Sequence, residues 1–129
     1  MSATTLDFAT GSACGPAEQG SKFLHQIVLT YEPSGQPIPI TGDTFTMNVT
    51  ATTGAASTVL ALSTATTGIT IVDGANGVLE IRVPQSTMRT IASGMYVYDL
   101  ARTPGGVTDD RYVLCRGQFE VIASAKAGA

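Results

Sequence analysis

Apolar and polar residues alternate most cleanly between residues 44 and 51. Phe45, Met47, Val49 and Ala51 take every second place, with Thr44, Thr46, Asn48 and Thr50 between them. Successive side chains of a strand point to opposite faces, so this segment predicts a strand with one buried face and one hydroxyl-rich face. Leu79, Ile81 and Val83, separated by Glu80 and Arg82, predict a second strand of the same kind. Runs rich in β-branched and aromatic residues from Phe23 to Tyr31, Val59 to Leu62, Ile69 to Val72, Met95 to Arg102 and Arg111 to Ile122 bring the set to about seven.

Turn residues punctuate these runs. Glu32-Pro33-Ser34-Gly35 ends the first, and Pro37 and Pro39 then hold an extended linker that cannot pair as a central strand. Asp73-Gly74-Ala75-Asn76-Gly77 and Pro104-Gly105-Gly106 read as tight returns. Pro84 to Ile91 departs from the period of two. Pro84 at a first helical position predicts one or two helical turns, closed by Gly94. Gly117 reads as a bulge in the last strand. Strand count and spacing predict an all-β fold, an immunoglobulin-like two-sheet antiparallel β-sandwich with one short helical turn. A small barrel is the second choice. The chain has no Trp, so an antibody-type Cys–Trp–Cys core is excluded.

The domain is expected to span 21–123. Residues 1–20 hold Gly11, Gly15, Pro16 and Gly20 but just two large hydrophobes, Leu6 and Phe8, and read as an extended N-terminal arm outside the core. Residues 124–129 are small and polar and read as a flexible tail.

Composition narrows the function classes. The chain has 129 residues, 43% of them hydrophobic, which is one domain's length with enough apolar surface for one core. Charged residues make up 13%, about half the usual share, while Thr, Ala and Gly are abundant. Faces of that kind suit contact with other protein more than open water. The net charge of −3 and the scattering of seven Lys and Arg residues argue against nucleic acid or an anionic membrane as partner. No apolar run is long enough to span a bilayer, and residues 1–20 lack the basic and apolar regions of a signal peptide, so a cytoplasmic origin is expected.

Candidate chemistry is sparse. The one histidine, His25, lies inside the first strand with no carboxylate or thiol in a recognised pattern around it, and reads as a surface or core-edge residue. Asp109-Asp110, beside Arg111, reads as a solvated hairpin tip, since a Ca²⁺ site needs about six or more oxygen ligands. Asp73 and Asn76 are explained by their turn. Tyr96 and Tyr98 alternate with Met95, Val97 and Asp99 and read as core or cross-strand partners more readily than as a sugar-stacking platform. Cys14 and Cys115 form no CxxC pair and read as free thiols, with a disulfide within or between chains as the alternative. No catalytic, cofactor-binding or metal-binding residue, and no small-molecule substrate, is predicted.

One stretch carries a signature. It runs through Gly68-Ile69-Thr70-Ile71, Gly77-Val78-Leu79-Glu80-Ile81-Arg82-Val83-Pro84 and Ser93-Gly94-Met95-Tyr96-Val97-Tyr98-Asp99-Leu100. It continues with Gly105-Gly106-Val107-Thr108 and closes on Leu114-Cys115-Arg116-Gly117-Gln118-Phe119-Glu120-Val121. This order resembles a β-sandwich domain of small bacteriophage tail, collar and tail-fibre attachment proteins. In those, a strand ending in Tyr-Asp-Leu precedes a Gly-rich hairpin and a closing Leu-x-x-Gly-x-Phe-x-Val strand. The resemblance covers about the last half of the chain. It makes Gly94, Tyr98, Asp99, Leu100, Gly117 and Phe119 fold residues, and it implies a non-enzymatic virion protein with other virion proteins as partners. Homo-oligomerisation is expected through strand edges and the arm residues Leu6, Phe8 and Cys14. A capsid decoration protein and a carbohydrate- or receptor-binding module are the alternatives. A wall hydrolase working through Asp109 and Asp110 would need a carboxylate pair in a cleft.

Overall fold

In the computed structural model, which describes residues 4–9, 11, 14–31, 34–52 and 58–123, the alternating segments are strands of two packed sheets. The strands are β1 (Thr4–Thr5), β2 (Ala17–Glu18), β3 (Phe23–Val28), β4 (Thr44–Thr50), β5 (Leu60–Ser63), β6 (Ile69–Asp73), β7 (Val78–Val83), β8 (Gly94–Thr103) and β9 (Tyr112–Ile122). The larger sheet runs β1-β9-β8-β4-β5, with β2 also on β9, and curls toward a half-barrel. The smaller runs β3-β7-β6. The expected two-sheet sandwich is therefore the observed architecture, and β3 to β9 are the seven expected strands.

The periods of two translate directly into burial. Phe45, Met47 and Val49 of β4 have no exposed surface, and neither do Leu79 and Ile81 of β7. They share one core with Leu100, Phe119 and Val121, where burying each aliphatic side chain is worth about 1.5–3 kcal/mol. The hydroxyl-rich side of β4 is half-buried, because β5 and β8 flank that strand on both sides. A single α-helical turn, α1 (Gln85–Met88), follows Pro84, which caps it rather than opening it. It turns Met88 and Ile91 into the core.

Two glycine positions show why the returns need glycine. The Asp73–Gly77 return is a 3-10 turn over Gly74–Asn76, braced by Asn76 Nδ2 donating to Asp73 Oδ2 at 2.8 Å. Gly77 closes it at φ 71°, and a Cβ there would meet the carbonyl oxygens of Ile38 and Leu29 at 2.6 and 2.7 Å. Gly117 corrects an expectation. It pairs in register with Tyr98, and the irregularity between β8 and β9 lies at Leu100/Ala101 instead. Its missing side chain serves a different purpose: the Leu6 carbonyl and the Asp7 carboxylate occupy the space a Cβ would take.

The arm corrects another. Expected to lie outside the core, it supplies β1 and β2 and buries Phe8 to 1% exposure. Glu32 and Pro33 of the first expected turn, and the expected tail 124–129, lie outside the described residues.

Candidate functional site: the N-terminal arm and its groove

The arm lies parallel to β9 along much of that strand. Thr4 and Thr5 register with Cys115 and Arg116, Phe8 bridges Phe119, and Ala17 and Glu18 register with Val121 and Ile122. The ladder is carried by Leu6 N donating to Arg116 O at 3.0 Å, Phe8 N to Gln118 O at 2.8 Å, and Glu120 N to Phe8 O at 2.7 Å. Gln19 N donates to Ile122 O at 2.9 Å. Side chains add further ties. Tyr98 Oη donates to the Leu6 carbonyl, and Gln118 N donates to Asp7 Oδ1 at 2.9 Å. Gln19 Nε2 reaches the Ile91 carbonyl at 2.9 Å.

Phe8 is the anchor. Its ring meets Phe23 and His25 edge-on, with centroids 5.2 and 5.0 Å apart, and also touches Tyr98 and Phe119 at 5.4 and 6.0 Å. Edge-to-face pairs of this kind add about 0.5–1.5 kcal/mol beyond area burial. Phe23 and His25 belong to the smaller sheet and Tyr98 and Phe119 to the larger, so Phe8 closes the space between the sheets. Leu6 and Cys14 are half-buried against the same core.

Burial sets the electrostatics here. It raises the Tyr98 hydroxyl far above the ordinary phenol value, with Cys115 adding to the shift, so the hydroxyl keeps its proton and serves the Leu6 carbonyl as a donor. The Cys115 thiol, 4.0 Å from Tyr98 Oη, is raised by burial as well. Burial lowers His25 from its usual 6.5, which favours the neutral ring that packs against Phe8. Both cysteines are free thiols.

The structure brings together six of the residues singled out from the sequence. Leu6, Phe8 and Cys14 of the arm meet Tyr98, Gly117 and Phe119 of the signature at one place. Leu100 is buried in the core, Gly94 opens β8 at the surface, and Asp99 stands on β8 in register with Asn48 and Arg116, its Oδ1 buried without a hydrogen-bond partner among the described residues. Asp7 was missed, and Phe23 and Gln118 were read as strand residues with no part in the site. The signal that could have found the site is the spacing of Leu6 and Phe8, two apart, which puts both on one side of a strand.

Elsewhere the surface offers less. Asp109 and Asp110 are exposed within the 3-10 turn Thr108–Asp110, and Arg111 is exposed just after it. Tyr31 is 51% exposed, whereas Tyr98 is buried and Tyr96 and Tyr112 are half-buried. An open groove of about 440 Å³ between β4 and β6 contains one carboxylate, Asp43, which the Arg102 guanidinium engages at 2.7 Å. Among the described residues, no three His, Cys, Asp or Glu side chains stand where they could share a metal ion. In comparison with known proteins, no family model and no curated sequence matches this chain.

Proposed function

We propose that this chain is a non-enzymatic structural protein of a bacteriophage particle, a neck, collar, tail or fibre-attachment component that assembles through its strand edges and N-terminal arm. The observation that carries the reading is the way the arm binds. A short strand adds to β9 by backbone bonds and fixes itself with one aromatic anchor, which is how extended segments join sheets in protein assemblies. The low charge and the sequence resemblance support the same reading, and among the described residues β3, β5 and β6 each pair with one strand of their sheet, leaving an edge for further pairing.

A capsid decoration protein would use the same arm, and its position in an imaged particle separates the two. A carbohydrate-binding module would need several exposed aromatic rings, and Tyr31 is the one tyrosine more than half exposed.

The test is mass spectrometry of particles purified by density from cells in which the virus encoding this chain is growing. The chain should be present in fixed ratio to the major shell protein through successive gradients. A chain that stays in the particle-free fraction at every stage would refute the proposal.

A further inference from the structure

The attachment of the arm to β9 has a mismatch in length. Phe8 bridges Phe119 and Ala17 registers with Val121, so β9 advances two residues while the arm advances nine. Two strand residues cover about 7 Å. Nine residues reach up to about 30 Å when extended, close to the width of a small domain. The tether between β1 and β2 is therefore far longer than the pairing within one chain requires.

The groove itself is selective. It takes a segment with a carbonyl over Gly117 and under the Tyr98 hydroxyl, a carboxylate at the Gln118 amide, and a phenyl ring among Phe23, His25, Tyr98 and Phe119. Residues 6–8 of any copy of this chain present that set. The contacts are the same whether the segment comes from its own chain or from a neighbour. What decides between them is the closure entropy of the tether against the local concentration of neighbours. The exchange would draw Ala9 and Cys14 away from the core of their own chain, while β2 could keep its place on β9.

From this we infer that residues 4–9 are exchanged between copies, the β9 groove of one subunit receiving the first strand of a second. Exchange of an identical element is a low-cost route to an oligomer. The inference rests on the assembly reading above and supplies its partner and its bond.

Thr5 and Arg116 stand in register, so cysteines at these two positions report which chain fills the groove. Thr5→Cys in one chain and Arg116→Cys in another, both with Cys14→Ser, are refolded together at high concentration and oxidised with glutathione disulfide. Neither variant can form this link within itself. Exchange gives a band at twice the monomer mass, its yield rising with concentration, in which an arm peptide is joined to a β9 peptide. A second probe adds Thr4→Cys to the Cys14→Ser chain: position 4 registers with the native Cys115, giving a closed monomer if the arm stays home and a covalent dimer if it is exchanged. Closure within one chain at every concentration, with no mixed link, overturns the inference. Light scattering on the unmodified chain then separates the two ideas. A defined oligomer without mixed links leaves the assembly reading standing and removes the exchange, whereas a monomer throughout removes self-assembly as well.

Discussion

Phe8 links the arm to both sheets, so its replacement tests the site at the smallest scale. Phe→Ala in a core costs about 3–5 kcal/mol, and an arm free to lift away escapes part of that cost. The Phe8→Ala variant should therefore lose about 3 kcal/mol in a denaturant titration, a large share of a domain's usual 5–15 kcal/mol. Gly117 should respond differently. A Cβ there collides with the Leu6 carbonyl and lies 2.6 Å from Asp7 Oδ1, so Gly117→Ala should push the arm off β9 at about 1–3 kcal/mol while the seven-strand sandwich keeps its circular dichroism. His25 adds a pH dependence of definite sign. Its folded value lies below 6.5, so the unfolded chain takes up the proton first. Stability should be full above that value, fall as the pH drops toward the folded-state value, and level off below it. Urea midpoints at about pH 7.5 and about pH 5 should differ in the wild type by more than in a His25→Leu variant.

At the level of elements, the strands β4 and β7 were legible because each repeats apolar residues at strict spacing with polar residues between, and burial follows that spacing. The return at 73–77 was legible for the same kind of local reason. β1 and β2 were not. Each has two residues, too few to show a period, and what makes them strands is β9, about a hundred residues away. Gly117 was read as a local bulge because a glycine inside a strand carries no sign of the backbone that passes over it. The tie between the linker before β4 and the end of β8 was equally invisible. There, Arg102 Nε donates to Asp43 Oδ2 at 2.7 Å, Gly105 N to Asp43 Oδ1 at 2.8 Å, and Arg102 also reaches the Tyr112 hydroxyl. Both charged side chains are mostly buried, so Asp43→Ala should cost about 1.5–3 kcal/mol and lower the thermal midpoint.

For the whole molecule, the architecture explains why a single sequence stretch could point to the fold while the place where the arm docks stayed hidden. Tyr98, Leu100, Phe119 and Val121 are among the signature residues that fill the core, and a core reads out as pattern. The arm's groove is made from the same residues seen from another side: the Tyr98 hydroxyl, the bare Gly117 and the Gln118 amide. Residues that build the sandwich thus also build the place where the arm is added as a strand.

The central claim is that the arm is a docked strand. Hydrogen exchange resolved to single amides, on the full chain at a dilution where it is monomeric, tests this most directly. Leu6 N and Phe8 N donate to Arg116 and Gln118 carbonyls, so both should be strongly protected, together with the β9 amide of Glu120 that returns a bond to Phe8. Exchange of the Leu6 and Phe8 amides at the rate of an unstructured peptide, with β8 and β9 still protected, would contradict the account.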